Sequence, residues 1–483
     1  MSISSSLSSA LSGLTASARA AELVSSNVAN AMTDGYVRRD IQLVARQLGG
    51  TGQGVQVLGV SRSVDLVLMS DRRIAEAGAS DRDARTAFLS GLESILGTSD
   101  SAGSLSGRIS SLDSSLIEAA SRPESEARLT NVLGSARALV DKITTASDAI
   151  QTARAGADDQ IETQVNTLND ALSKVVEMNI QIRASTNSGR DPSALMDQRQ
   201  QLIDQISSIV PLREVDRQYG MVALYTTGGA VLLDGKAAEF GFTPVGTVTP
   251  DMTLASGALS GLTMNGRQME TGEASLLSGG SLIAQFAVRD ELAPAAQTRL
   301  DALARDLVDR FADPALDTTL APGAPGLFTD GGAAFLPANE VGLAQRLTLN
   351  AAVDPKQGGA LWRLRDGIGA TAPGPSGNSA LLGALQTALS TARTPASGFA
   401  SGPRSFAALN ADMLSGVATA RLSADAESSF ATARASALKQ QELTNGVDTD
   451  AEMQKLLLIE QAYSANARVI QTVDDMIQTL LGL

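Results

Sequence analysis

The sequence predicts a mainly α chain with a β insertion: a terminal two-helix coiled coil, a discontinuous long-helix domain inside it, and a small β domain nested within that. Three observations predict it. Apolar residues recur in heptads at both ends of the chain. Helical periodicity appears on both sides of residues 211–275, so the flanking helices can share one core. Within 211–275 the pattern changes to short alternating runs punctuated by Gly and Asp-Gly turns.

At the N-terminus Leu7, Leu14, Ala21 and Val28 repeat every seven residues, interleaved with Ile3, Ala10, Ser17, Val24 and Ala31. The run stops at Thr33-Asp34-Gly35, where Gly35 is a natural C-terminal breaker. At the C-terminus Leu456, Ile459, Tyr463, Asn466, Ile470, Val473, Ile477 and Leu480 advance in steps of three and four. Thr449 and Glu452 form a T-x-x-E pattern that predicts a capping box, and a helix from about 449 to 481 would measure roughly 50 Å. Asn466 is the polar residue of this seam, a type that fixes register or oligomeric state at a cost in stability. Pattern alone leaves two readings open: the seams pair with one another, or each packs on a central core. The terminal domain is placed at 1–36 and 446–483.

Residues 37–70 alternate and carry glycines, which predicts an extended linker or hairpin. The helical domain is assigned to 71–210, 276–311 and 375–445. It starts with a helical stretch at 71–120, interrupted by a Gly/Ser-rich break at 97–107. A long helical tract opens near Ser121, with Pro123 and Glu124 in its first turn, and a further helix spans Ala194 to Val210. Residues 211–275 form the small β domain. Helix resumes at about 277–311. Residues 312–374 are read as Pro/Gly-rich loops and short elements; 312–404 hold nine of the fifteen prolines. A short helix at Ala380–Thr391 and a long one at about 405–443 complete the domain.

Composition excludes several functions. The 483-residue chain is 43% hydrophobic and 19% charged, so it holds enough apolar matter for real cores. It contains no Cys and no His, which removes disulfides, thiolate metal sites, Cys-His and Ser-His-Asp chemistry and the HExxH zinc motif. We expect no catalytic residues, no metal and no cofactor. Aromatics at 3% are few for a ligand-gripping protein. The net charge of −14 is spread without a basic block, so nucleic acid is not an expected partner. Asp448-Thr449-Asp450 with Glu452 lacks the spacing of a calcium loop and reads as a helix cap. The N-terminus lacks the basic and apolar regions of a secretory signal, and no apolar run is long enough to insert in a membrane.

The ends carry a further pattern. Ala10-Leu11-Ser12-Gly13-Leu14, then Ser26-Asn27-Val28-Ala29-Asn30-Ala31-Met32-Thr33-Asp34-Gly35-Tyr36 with Arg38 or Arg39, resembles the N-terminal signature of the flagellar rod, hook and junction axial family. Ser26 stands where that family commonly has Asn, and Asp34 where it has Pro. Gly446 to Met453, followed by Gln461-Ala462-Tyr463-Ser464-Ala465-Asn466-Ala467-Arg468-Val469-Ile470, is similar to the family's closing helix. The long helices at 121–186 and the segment Ala194-Leu195-Met196-Asp197-Gln198-Arg199 resemble the junction branch of the family.

The resemblance implies a non-enzymatic structural component, exported by the flagellar type III route and assembled at the bacterial flagellum where hook meets filament. Its implied partners are copies of itself in a ring, hook protein, hook-associated protein 3, and a cytoplasmic export chaperone on the C-terminal helix. It implies that the terminal helices, poorly ordered in a free subunit, fold on packing with neighbours. The expected packing residues are Leu7, Leu14, Val24, Val28, Leu456, Ile459, Tyr463, Asn466, Ile470, Val473, Ile477 and Leu480, with ordinary intrachain core as their alternative role. Asn27, Asn30, Thr33, Gly35 and Tyr36 form the signature turn. Asn and Thr are expected there to bond local main chain, and Gly to supply positive φ. The alternatives are another axial subunit (hook, rod or hook-associated protein 3), a secreted enzyme carried on flagellar-type ends, and a cytoplasmic coiled-coil scaffold.

Overall fold

A computed structural model describes residues 3–33, 35–48, 51–98 and 100–482. Residues 1, 2, 34, 49, 50, 99 and 483 lie outside it; Asp34 of the signature turn is therefore outside the described residues.

The chain opens with helix α1 (Ile3–Ala29), then an antiparallel hairpin of β1 (Arg39–Leu48) and β2 (Thr51–Arg62). Helix α2 (Leu66–Leu96) follows directly. Asp65 starts it, its carboxylate accepting the Val67 and Leu68 amides at 3.1 and 3.0 Å, so the helix begins inside the stretch expected to be linker. The Gly/Ser break holds from Gly97 to Ser104, whose hydroxyl caps α3 (Leu105–Ser121) by accepting the Gly107 amide.

Pro123 and Glu124 do not open the next helix. They form the turn after α3, and α4 begins at Glu126, running 62 residues to Asn187. At 1.5 Å per residue α4 is about 93 Å long. Its buried positions step by three and four from Leu129 to Ile182, the spacing of one continuous apolar stripe. It returns as α5 (Ser193–Ile209).

The β insertion consists of two small sheets. β3 (Leu212–Asp216), β4 (Val222–Thr226), β5 (Val231–Asp234) and β6 (Lys236–Ala237) form an antiparallel meander. β7 (Phe240–Gly241), β8 (Thr263–Met264) and β9 (Arg267–Gln268) form the second. Helix returns as α6 (Ser281–Ala287), passes through a π turn at Val288–Leu292, and continues as α7 (Ala293–Phe311). The proline-rich stretch contains β10 (Phe328–Asp330), α8 (Leu343–Arg346), β11 (Leu347–Leu349) and α9 (Arg363–Asp366), with β10 and β11 antiparallel. The chain ends with α10 (Ala380–Ser390), α11 (Phe406–Thr444) and α12 (Thr449–Leu481).

Two apolar cores lie along α4. Its first half packs with α3, α7, α10, the ends of α2 and α11, and the 320–368 segment; Phe311 and Phe328 meet there edge to face at 4.9 Å. Its second half packs with α5, the first sheet and α6. Each fully buried Leu, Ile or Phe contributes on the order of 2 kcal/mol.

Between the cores α4 carries polar residues. Arg154 donates to the Thr249 and Met252 carbonyls at 3.0 and 2.7 Å, and Asp158 pairs with Arg289 of the π turn at 2.6 Å. These bonds fasten the insertion to the long helix. Below the cores α2 and α11 continue as a two-helix arm whose apolar contact is small: Ala75, Ala79 and Ala435. Among the described residues no helix is long and apolar enough to cross a membrane.

Candidate polymerisation site at the joined chain ends

The two terminal seams meet. Helices α1 and α12 run antiparallel, with Gly13 facing Asn466 and Asn27 facing Glu452. A Cβ on Gly13 would lie 2.6 Å from Asn466 Nδ2, so the absent side chain is what lets the helices close around that amide. Asn466 anchors itself by donating to the Ala462 carbonyl at 2.9 Å.

The buried row of α1 is Ala10, Ser17, Ala20, Val24 and Asn27, with Ala16 alongside. Leu7 and Leu14 were expected in the seam, and the structure corrects this. Leu7 is exposed, while Leu14 and Val28 are half-buried on the flank. The reason is that α1 is packed on two sides, against α12 and against the hairpin. At the hairpin Ser12 Oγ accepts the Val55 amide at 3.1 Å beside Gly54. With contacts on two sides, the buried arc of α1 falls mainly on small residues, Ala10, Ala16, Ser17 and Ala20.

On α12 the expected seam lies closer to the mark. Val473 is buried, and Leu456, Ile459, Asn466, Ile470 and Ile477 are half-buried. Tyr463 and Leu480 stand at its edge, 48% and 62% exposed. Val24 and Val473 are thus packed within one molecule. Beside this seam Leu458, Val469 and Met476, continued by Leu480 at the seam's edge, form a second, exposed apolar stripe, of which the heptad reading named Leu480 alone.

The signature residues form one buried junction. Asn27 is fully buried inside α1 and is not a local cap. Its Oδ1 accepts from the Arg39 amide at 3.1 Å and the Tyr36 hydroxyl at 2.8 Å. Its Nδ2 donates to the Arg39 carbonyl at 2.9 Å and to Glu452 Oε2 at 3.0 Å. All the side chain's capacity is used. Glu452 correspondingly is not the far half of a capping box. Asp448 caps α12, accepting the Asp450 and Ala451 amides at 2.9 and 3.1 Å, which frees Glu452 to enter the junction. Lys455 sits beside it and pairs with Asp40 at 2.6 Å.

Asn30, Thr33 and Gly35 do serve the turn. Asn30 Nδ2 donates to the Ser26 carbonyl at 2.9 Å, Thr33 Oγ1 lies 3.4 Å from Asn30 Oδ1, and Gly35 has φ 77°. Tyr36 lies under the Arg39 guanidinium, 5.0 Å from its ring centre.

The hairpin base joins the helical domain through charge. Arg39 and Arg62 both bind Asp197 of α5, at 2.8 and 2.7 Å, and Arg62 also reaches Gln200 at 3.1 Å. Asp197 belongs to the motif quoted from the sequence, but its partners could not be read there. Next to it, Arg72 of α2 binds Asp204 and Glu76 at 2.9 and 2.5 Å and also pairs with Glu442 of α11. Burial pulls the Arg72 pKa down, but the three carboxylates outweigh it and hold it above the ordinary value. Burial pushes the Arg199 pKa down, partly offset by Glu214. Among the described residues no His/Cys/Asp/Glu cluster could hold a metal ion.

The chain is similar to proteins of known kind. The family model "Flagellar hook-associated protein FlgK helical domain" matches residues 89–317. "Flagella basal body rod protein" matches 7–36, and "Flagellar basal body rod FlgEFG protein C-terminal" matches 443–483. Flagellar hook-associated protein 1 of Salmonella typhimurium is 29% identical over 244 residues, 49% of this chain and 44% of that one. The Bacillus subtilis protein of the same name is 29% identical over 240 residues, 47% of each chain. The chain thus matches less than half the length of these relatives. Among solved structures, the flagellar hook junction protein FlgK from Burkholderia pseudomallei has a TM-score of 0.45 at 19% identity, covering 55% of this chain and 47% of that one. The rod-protein models fall on the two helices that Asn27 and Glu452 join, and the helical-domain model covers α3 to α7 between them; in these segments the chain is similar to the flagellar rod, hook and hook-associated proteins.

Proposed function

We propose that the chain is an architectural subunit of the bacterial flagellar axis that assembles through its joined ends at the junction of hook and filament. One observation carries this reading. The terminal helices meet through a fully satisfied polar junction at Asn27, yet they leave a second apolar stripe on α12 exposed. A helix pair of small residues buries little by itself, and its remaining apolar surface gains most by packing on neighbouring copies. The names of the relatives, hook-associated protein 1, support the place in the axis.

On this reading the subunit leaves the cell by the flagellar type III route, and its role is structural rather than catalytic. A cytoplasmic export chaperone shields α12 before secretion. Copies then form a ring that touches hook protein on one side and hook-associated protein 3 on the other. Leu7, Leu14, Val28, Tyr463 and Leu480, exposed or half-buried on the flanks of the helix pair, face the neighbours. Val24, Asn466 and Val473 hold the pair itself.

The test is a strain lacking the protein, complemented with labelled full-length chain or with chains lacking residues 1–35 or 449–483. Full-length chain is expected at the hook end and the truncated chains are expected to be absent there. Unchanged incorporation of the truncations would refute the reading. Loss of the hook itself in the deletion strain would point to a hook or rod subunit instead.

A further inference from the structure

A cavity of about 380 Å³ opens where the base of the hairpin, the start of α2, α5 and β3 meet. Its wall combines three kinds of group. Val60, Val64, Leu66, Met69 and Met196 supply apolar surface. Arg62, Arg199, Gln200 and Ser193 supply polar groups, the last three more than nine-tenths buried. Glu214 and Asp216 supply negative charge, with Asp216 exposed at the rim. The two guanidinium groups are incompletely used. Arg199 Nη1 donates to Asn179 Oδ1 at 2.9 Å and to the Gly220 carbonyl at 2.6 Å, but Nη2 stands 3.9 Å from Glu214, beyond hydrogen-bond distance. Arg62 gives Nε to Asp197 at 2.9 Å and Nη2 to Gln200 at 3.1 Å, and its Nη1 makes no hydrogen bond among the described residues. Burial pulls the Arg199 pKa down; Glu214 and Asp216 offset this in part, while Arg62 and Arg73 add to it. A carboxylate in the cavity would supply the missing acceptor and relieve the repulsion between the arginines.

We infer that this cavity binds an apolar α-amino acid, its carboxylate against Arg62 and Arg199, its ammonium toward Asp216 and its side chain among Val60, Leu66, Met69 and Met196. Each part of the wall selects one part of the ligand. The unused N–H groups of two neighbouring guanidiniums fit a carboxylate. Asp216, whose side chain makes no hydrogen bond or salt bridge among the described residues, fits an ammonium. Glu214 and Asp216 together reject a phosphate or a dicarboxylate, which would bring further negative charge against them. The volume suits a small molecule, and the mixture of apolar wall with a few convergent polar groups is that of a small-molecule site. Such an occupant touches β2, α2, α5 and β3 together, and adds apolar contact to a joint that Asp197 holds by charge. No group in the wall belongs to the terminal helix pair, so binding here and assembly through the chain ends are separate properties.

The experiment is a titration of full-length chain, isotope-labelled at its methionine methyl groups, followed by nuclear magnetic resonance. The probes are L-leucine, L-leucinamide, which lacks the carboxylate, and isocaproate, which lacks the ammonium. Leucine is expected to shift the Met69 and Met196 methyls saturably and to leave Met413, in the first core, unmoved. Leucinamide and isocaproate are each expected to bind at least tenfold more weakly. Asp216→Asn, at an exposed side chain, is expected to weaken leucine about tenfold and leave isocaproate unchanged. No saturable shift of Met69 and Met196 with leucine overturns the site. Leucinamide or isocaproate binding as tightly as leucine, or Asp216→Asn binding leucine as wild type does, overturns the assignment of an amino acid.

Discussion

Removing the Asn27 side chain tests what joins the two chain ends. Asn27→Ala deletes four hydrogen bonds, three to neutral groups and one to the Glu452 carboxylate. A neutral bond contributes about 1 kcal/mol and a charge-assisted one about 1.5–3 kcal/mol. The Tyr36 hydroxyl is half-buried and recovers a water partner, and Glu452 keeps Lys455 within 4.0 Å. The Arg39 amide and carbonyl have no such substitute. The net loss is then about 3 kcal/mol, confined to the terminal module because the two apolar cores contain none of its residues. Native-state hydrogen exchange is the assay. Amides of α1 and α12 are expected to exchange about a hundredfold faster in Asn27→Ala, while those of α4 and α7 stay unchanged. Asn27→Asp is expected to do more harm than Ala at neutral pH, because it sets a second carboxylate against buried Glu452. Protection of α1 changed by less than about twofold in both variants would refute the junction as the tie between the ends.

Three further outcomes follow from the same contacts. Asp197→Ala leaves Arg39 and Arg62 facing each other without their shared partner; we expect a loss of about 3 kcal/mol, seen as faster limited proteolysis within the 39–62 hairpin. Gly13→Val brings a side chain into Asn466, with an expected cost of about 1–3 kcal/mol to the helix pair, and Asn466→Ala is expected to recover part of it in thermal unfolding. Asp301 accepts the Gly342 and Ala344 amides at 2.8 Å each, yet burial pushes its pKa up to about 6. A carboxyl whose pKa is higher folded than unfolded favours the native state at low pH and loses that contribution as pH rises through about 6. Relative to Asp301→Asn, wild type is therefore expected to gain about 1 kcal/mol between pH 7 and pH 5 in paired unfolding curves.

Much of the helical architecture was legible because burial and periodicity coincide there. In α4 the apolar stripe repeats for 62 residues against cores on one side, so the sequence pattern and the buried face are the same residues. The Asp-Gly pair at 234–235 marked a real turn for the same kind of reason, since Gly235 takes φ 75° between β5 and β6. Pro123 misled because proline suits both a first helical turn and the turn before one.

The chain ends show where local reading stops. Residue type and spacing alone determined that both termini are helical, that their seams are of matching period, and that a turn at Thr33 to Gly35 ends the first helix. These are properties of the main chain and of one helix face at a time. Tertiary structure decided that α1 is wedged between α12 and the hairpin, which turned Leu7 outward, left Leu14 half-buried on the flank and gave the interior to Ala10, Ser17 and Ala20. It also decided that Glu452 leaves its own helix cap for an amide 425 residues away in sequence. Periodicity reports that a helix has an apolar face. How many neighbours compete for that face, and which polar groups they bring, is fixed only when distant segments meet.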